Sequence, residues 1–190
     1  MRDKSHEAGT PMPFTRAKHL LNPFRAFLLS PKKMVKRLEL EDKYAVLEIG
    51  PGPGYYSPAV AKRIKNGKLT LMDIQIEMLD MAKNRLTKFD IKNVEYLKGN
   101  ACNIPLANQS FDVVFLVAVL GEIPNQKKCI NEIKRVLKSN GLLSITEMKF
   151  ADPDAIPIIE IKRLIENEGF HEYSRYGNKV NYTIGFKKQV

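Results

Sequence analysis

Short apolar runs alternate with longer amphipathic stretches through most of this 190-residue chain. The runs are rich in Val, Ile, Leu and Phe and predict strands at Ala45–Ile49, Lys68–Asp73, Val94–Lys98, Phe111–Leu116 and Leu142–Glu147. Between them, apolar residues recur at helical spacing and predict helices over Tyr55–Lys65, Gln75–Phe89, Gln126–Lys138 and Pro157–Glu168. Strands that alternate with helices are typical of a parallel α/β sheet.

The C-terminal stretch has a different pattern. Two further strand candidates, Phe170–Tyr176 and Val180–Lys187, are separated by Gly177, Asn178 and Lys179. Gly and Asn in so short a connection favour the positive backbone angles of a hairpin turn. We therefore expect an antiparallel pair at the end of an otherwise parallel sheet.

The turn after the first predicted strand carries three glycines at alternate positions, Gly50, Gly52 and Gly54. Glycine allows positive φ and lets a ligand approach the main chain closely. The helix that follows directs free N–H groups at the same place. A dinucleotide fingerprint would need its third glycine where Tyr55 stands, and no Lys-Ser or Lys-Thr pair follows as a phosphate-binding loop requires.

An acidic residue, Glu48, lies two positions before the first of these glycines. A carboxylate there would repel a pyrophosphate, whereas it would suit a cofactor that carries positive charge. S-adenosylmethionine (SAM), with a sulfonium and an ammonium group and no phosphate, is such a cofactor. Alternatively, Glu48 orients the N–H groups of the loop and does not touch the cofactor.

The E-x-G-x-G pattern, with Asp73 at the end of the next strand, resembles the class I SAM-dependent methyltransferases. Within them the chain is similar to the methyltransferase type 11 and quinone-biosynthesis group, and its later strands match in order. The resemblance implies an α/β fold: a Rossmann-like, seven-stranded, mostly parallel sheet with a C-terminal antiparallel hairpin, helices on both faces and an N-terminal helical cover. It also implies SAM as cofactor and S-adenosylhomocysteine (SAH) as its product.

The same resemblance assigns residues to the cofactor. In the family the carboxylate at Asp73 binds the two ribose hydroxyls, which one carboxylate can accept together. The position of Asn100 is usually an Asp that holds the adenine amino group, and an Asn carbonyl can still accept that bond. The expected cofactor-binding residues are Glu48, Gly50, Gly52, Gly54, Tyr55, Asp73, Ile74, Met78, Asn100, Ala101 and Val117.

Methyl transfer is an in-line displacement at an activated carbon, so positioning and water exclusion matter most and acid–base groups are optional. Glu122, just beyond the fourth strand, is the first candidate to orient or deprotonate a substrate. Glu147, at the end of the fifth strand, is the second, because the carboxyl ends of parallel strands border the ligand crevice. For Glu122 the alternative of a solvent-exposed loop carboxylate stays open.

Residues 1–13 mix Gly, Pro, Ser and charges and predict a flexible tail, before a basic helical cap at 14–40 and a methyltransferase domain at 41–190. The cap carries seven bases and one acid, a net +6 of the chain's formal +10. It is interpreted as a cover with solvated bases or as a lid that contacts an anionic membrane. Because the connection after the fifth strand is short, we expect this cap to shield the transfer site.

The charge of +10 also raises the possibility of a nucleic-acid partner. The fourth strand, however, is followed by Leu120-Gly121-Glu122-Ile123 and lacks the D/N-P-P-Y/F motif of enzymes that methylate base amino groups. We therefore rank a small-molecule or lipid-like acceptor first and RNA second. A non-catalytic SAM-binding partner protein is a third alternative.

Cysteine usage and hydropathy bear on metals and location. Cys102 and Cys129 have no metal-ligand spacing, so no metal site is expected. No long apolar run and no signal-peptide pattern is evident, which predicts a cytoplasmic protein with peripheral membrane contact as an option.

Overall fold

The computed structural model describes residues 9–21, 29–149 and 154–189. The strands are β1 (Ala45–Ile49), β2 (Lys68–Asp73), β3 (Val94–Lys98), β4 (Phe111–Val117), β5 (Leu137–Met148), β6 (Phe170–Gly177) and β7 (Asn181–Lys188). The helices are α1 (Pro31–Arg37), α2 (Ser57–Arg63), α3 (Ile76–Thr87), α4 (Gln126–Val136) and α5 (Ile158–Asn167), with 3-10 turns at Phe14–Leu21 and Leu120–Glu122.

The strands form one sheet in the order β3-β2-β1-β4-β5-β7-β6. The pairs from β3 through β5 are parallel, while β7 is antiparallel to both β5 and β6. The predicted fold class is therefore confirmed, including the C-terminal hairpin. The chain leaves β1 for β2 on one side and reaches β4 on the other, which is the switch point where ligands bind in such sheets.

Two element boundaries differ from prediction. The helix expected to reach Lys138 ends at Val136, because Leu137 is already extended (φ −72°, ψ 137°) and pairs with Phe111 of β4. β5 consequently begins before Leu142. The helix expected from Tyr55 begins at Ser57, with a proline in its first turn where no N–H partner is needed.

Apolar cores cover both faces of the sheet. One contains Ile133 of α4 and Ile161 of α5, and the other contains Met34 of α1 and Val60 of α2. Alternate residues of each strand enter opposite cores, as the pleat requires. The helices of the two cores leave the carboxyl ends of the parallel strands open between them.

Helix α1 fixes part of the predicted cap to the domain. Its start matches the expected Ser-Pro signal, since the Ser30 hydroxyl accepts a hydrogen bond from the Lys33 N–H at 3.3 Å. At its end the Arg37 guanidinium donates to the Thr183 hydroxyl of β7 at 2.8 Å. The helix thus packs across the strands at the β5–β7 side of the sheet.

Candidate functional site

A cleft of about 470 Å³ lies at the carboxyl ends of β1, β2 and β4. Its size is that of a small-molecule site. Most of the residues that the sequence assigned to a cofactor line it: Glu48, Gly50, Gly52, Tyr55, Asp73, Ile74, Met78, Asn100, Ala101 and Val117. Glu122 lines the same cleft. Gly54 and Glu147 are not among its lining residues.

The glycine loop between β1 and α2 forms the floor of the cleft. Gly50 and Gly52 have φ of 65° and 53°, in the left-handed region that favours glycine. A Cβ on Gly50 would lie 2.5 Å from the Val119 side chain, so a larger residue cannot fit. The Gly50 N–H donates to the Met72 carbonyl of β2 at 2.8 Å, which ties the loop to the neighbouring strand.

Gly54 has a different role from its neighbours. Its φ is 75°, and a Cβ there would lie 3.1 Å from the Cβ of Ala82 in α3. The glycine therefore allows the loop to pack closely on α3. Close helix packing explains this residue without a ligand contact.

Glu48 is a buried acid beneath the loop. Its carboxylate accepts a hydrogen bond from the Ser57 hydroxyl, the first residue of α2, at 2.6 Å. Burial raises the pKa of Glu48 to about 7, the Ser57 bond lowers it, and the negative charge of Asp73 raises it further. The site thus holds an acid that is poised between its neutral and charged forms near neutral pH.

Asp73 ends β2 and lies between the glycine loop and α3. Its carboxylate accepts the Gln75 N–H at 2.9 Å. Burial raises its pKa, whereas the N–H groups of Gln75, Gly52 and Ile74 favour the charged form. Asp73 is 8% exposed and lines the cleft, so its carboxylate can accept further hydrogen bonds from that side.

The third-strand pattern supplies another wall. Asn100 follows β3, and its side-chain oxygen accepts the Cys102 N–H at 2.8 Å. A carbonyl oxygen has two lone pairs, so this oxygen can still accept a second bond. Ile74, Met78 and Ala101 add apolar surface on the same side. The combination suits a flat, partly polar ring.

The two predicted catalytic carboxylates lie in different places. Glu122 ends the 3-10 turn after β4, and its Oε2 accepts the Met12 N–H at 3.2 Å. Glu147 is 1% exposed and lines a separate cavity of about 50 Å³ with Tyr182 and Ile156. The neighbouring Thr146 faces Met34 of α1, so strand alternation turns Glu147 to the opposite face.

Sequence reasoning missed the segment that crosses the cleft, residues 11–14, here termed the N-terminal strap. Pro11 and Met12 line the cleft, and Gln75 holds the strap through the Met12 carbonyl. The tail predicted over 1–13 thus contains residues with defined partners, while 1–8 lie outside the described residues. No periodicity could reveal this, because Met12 and Glu122 are 110 positions apart in the chain.

A family model described as a methyltransferase domain matches residues 40–179, well over half of the chain. This chain belongs to that methyltransferase family. A SAM-dependent methyltransferase from Aquifex aeolicus has a similar structure, with a TM-score of 0.85 and 26% identity over 93% of this chain and 98% of that one. These matches confirm the predicted family and SAM as its cofactor.

Two curated methyltransferases resemble the chain in sequence. Demethylmenaquinone methyltransferase of Listeria monocytogenes is 31% identical over 114 residues, which cover 60% of this chain and 48% of the relative. The ubiquinone/menaquinone biosynthesis C-methyltransferase of Hydrogenovibrio crunogenus is 36% identical over 104 residues, or 54% and 41%. This methyltransferase chain spans about half the length of the curated relatives it matches. Among its described helices, none has the length and apolar content needed to cross a bilayer.

Proposed function

We propose that this chain transfers a methyl group from SAM to a small, lipid-like acceptor with a quinol-type ring. The observation that carries this proposal is that Glu122 and the glycine loop line the same cleft. The names of the two curated relatives support the acceptor class. The apolar residues Met12, Leu20 and Ile123 at the cleft support it further, because a quinol-type ring with an apolar tail needs such surface.

The residues of the cleft fit SAM by their chemistry. SAM supplies a methyl group that its sulfonium makes electrophilic. Asp73 offers a carboxylate to paired hydroxyls, and Asn100 with Ala101 and Ile74 offers a polar and apolar surface to the adenine. Glu48 lines the cleft beneath the glycine loop, and a positively charged cofactor would favour the charged form of its carboxylate. These assignments are part of the proposal.

Glu122 is proposed as the residue that orients the acceptor. Its carboxylate can accept a hydrogen bond from a ring hydroxyl or remove that proton, which makes the ring a better nucleophile. The N-terminal strap and Leu20 would exclude water from the same space. Orientation and water exclusion are the main requirements of a displacement on an already activated carbon.

The proposal includes peripheral contact with an anionic membrane, which would deliver a lipid-like acceptor. The basic helix α1 supports it, because Lys32, Lys33 and Lys36 are exposed while Met34 is buried. The chain just before α1 borders the cleft, since the Tyr56 hydroxyl donates to the Leu29 carbonyl at 3.2 Å and Tyr56 lines the cleft.

Methyl-tritiated SAM tests the acceptor class. The protein is incubated with a reduced short-chain naphthoquinol, with a reduced benzoquinol, or with total RNA, and the label is counted in each product. We expect label in a quinol and none in RNA. Label confined to RNA would overturn the acceptor class, and no label in any fraction would favour the non-catalytic SAM-binding protein.

The variant Glu122→Gln tests the proposed role of the carboxylate. We expect turnover to fall roughly a hundredfold, because general-base catalysis typically contributes that much or more, while SAM affinity measured by calorimetry stays unchanged. Glu77→Gln, an exposed carboxylate in the first turn of α3, is the matched control. Full turnover in Glu122→Gln would contradict the proposed role of its carboxylate.

A further inference from the structure

Gln75 binds the N-terminal strap with both ends of its side-chain amide. Its Nε2 donates to the Met12 carbonyl at 2.8 Å, and its Oε1 accepts the Phe14 N–H at 3.1 Å. These contacts join residues 61 and 63 positions apart in the chain. A single side chain thus satisfies a backbone acceptor and a backbone donor of the same segment, as a neighbouring strand would.

Gln75 lies at a helix start, where a side chain would usually bind the first N–H groups of the helix. Gln75 is the N-cap residue of α3, where Ser, Thr, Asp or Asn usually bind the helix N–H groups. The Gln75 side chain makes no such capping bond. Its own N–H instead donates to the Asp73 carboxylate at 2.9 Å. One residue therefore contacts the strap through its side chain and the proposed ribose ligand through its backbone.

The strap is held at the far side of the cleft as well. The Met12 N–H donates to Oε2 of Glu122 at 3.2 Å, so Met12 is bonded to the β2 side through its carbonyl and to the β4 side through its N–H. The 3-10 turn that follows lies against the glycine loop, where a Cβ on Gly52 would be 3.2 Å from Leu20. The strap and this turn form the outer wall of the cleft.

We propose that Gln75 is a positioning residue that clamps the strap over the cleft and couples release of the cofactor to opening of the strap. The inference rests on the proposed function, because the wall it closes is that of the transfer cleft. Since SAM and SAH would lie beneath Met12, they would leave only when the bonds to Gln75 break. Loss of two hydrogen bonds would raise the open fraction roughly tenfold.

The experiment measures SAH exchange and proteolytic cleavage in the 3-10 turn that directly follows the strap, in the full chain. Protein loaded with tritiated SAH is chased with unlabelled SAH, and in parallel trypsin cleavage after Arg16 is followed by mass spectrometry. In Gln75→Ala we expect SAH to dissociate roughly tenfold faster and Arg16 to be cleaved faster by a similar factor. Neither measurement uses a methyl acceptor, so a failed quinol assay leaves both interpretable.

The matched control is Asn93→Ala. Asn93 also donates its side-chain amide to backbone carbonyls at a helix end, those of Ala61 and Ile64 at 3.1 and 2.8 Å, and it lies at the amino end of β3, at the opposite edge of the sheet from the cleft. We expect wild-type exchange and cleavage in this variant, and equal acceleration there would overturn the proposal. Unchanged SAH dissociation in Gln75→Ala would overturn it too. So would faster dissociation with unchanged Arg16 cleavage, since the loss of the Gln75 side chain would then not act through the strap.

A second variant covers the case in which Gln75→Ala melts below the assay temperature. Gln75→Glu keeps the length of the side chain and the acceptor for Phe14, but it loses the donor to the Met12 carbonyl. We expect both rates to increase in the same direction, because the carboxylate oxygen that replaces Nε2 cannot donate to the Met12 carbonyl and repels it. Wild-type rates in Gln75→Glu would contradict the clamp.

Discussion

Glu48 shows how one buried residue links the site to the stability of the protein. Its pKa is about 7 in the folded chain, above the ordinary value of 4.5, chiefly because burial disfavours the charged carboxylate. The folded state therefore retains a proton that the unfolded chain has already released between these values. By linkage, the stabilisation is fully present below pH 4.5 and is lost as the pH rises through about 7.

We accordingly expect the free energy of unfolding of the ligand-free protein to contain a term from Glu48 that falls by about 3 kcal/mol between pH 4.5 and pH 8. Urea unfolding of the wild type and of Glu48→Gln, each at both pH values, isolates this term. The glutamine variant keeps the size and the partner Ser57 but cannot ionise. An equal change with pH in both proteins would contradict the assignment.

At some positions the residue type and a strand end are enough to predict which side chains lie at the cleft. Asp73 and Asn100 end or follow strands whose carboxyl ends meet at one edge, so their place in the cleft follows from topology. Glu147 also ends a strand, but the face on which its side chain lies depends on the register of β5. The contact between Met12 and Gln75 could not be predicted, because local sequence patterns do not indicate bonds between distant residues.

At the scale of elements, two glycines of the glycine loop pack against different parts of the molecule, although they are regularly spaced in the sequence. Gly52 and Gly54 both have positive φ, so alanine is strained by a similar amount at either position. Their surroundings differ, because a Cβ at Gly54 meets Ala82 of α3 while one at Gly52 meets Leu20 of the N-terminal 3-10 turn. Gly54 therefore allows close packing of the loop on α3, and Gly52 allows close packing of the N-terminal 3-10 turn on the loop.

We expect both Gly52→Ala and Gly54→Ala to lower the free energy of unfolding by about 1–3 kcal/mol, the usual cost of such backbone strain. Only Gly52→Ala should accelerate tryptic cleavage after Arg16, because only there does the new methyl group contact the N-terminal 3-10 turn, at Leu20. Urea unfolding and native-state proteolysis measure the two effects. Faster Arg16 cleavage in Gly54→Ala at matched stability would show that Gly54 also affects the packing of the N-terminal 3-10 turn.

The element boundaries show what periodicity can predict. β1, β2 and β3 have the predicted limits, since each is a short apolar run between polar turns. β5 is longer than predicted, because the helical pattern extends to Lys138 and the exposed polar residues Ser139 and Asn140 do not indicate a strand, although Leu137 already pairs with β4. The strap contains Pro11 and Pro13, which are typical of irregular chain. The position of the strap is defined by its long-range hydrogen bonds to Gln75 and Glu122 and not by a local conformational preference.

At the scale of the whole molecule, the charge of +10 is distributed over surfaces with different neighbours. Three exposed lysines, Lys32, Lys33 and Lys36, lie on α1, which begins two residues after Leu29, whose carbonyl is bonded to Tyr56 of the cleft. Lys43, Lys65 and Lys68 are equally exposed but lie at the amino ends of β1 and β2, at the opposite edge of the sheet. The chain thus offers two lysine sets of equal charge, one on α1 and one at the amino ends of β1 and β2.

If a membrane delivers the acceptor, the two lysine sets should differ in their effect on vesicle binding. Each lysine near an anionic surface contributes about 1 kcal/mol, so replacing the three of α1 by alanine should weaken binding to phosphatidylglycerol-containing vesicles by roughly a hundredfold. The same replacements at Lys43, Lys65 and Lys68 remove equal net charge and should have a much smaller effect. Co-sedimentation at low and at high salt measures both, and high salt should abolish the difference because it screens exposed charges. Equal losses in the two variants would mean that net charge alone attracts the protein, and the proposed membrane contact of α1 would then be wrong.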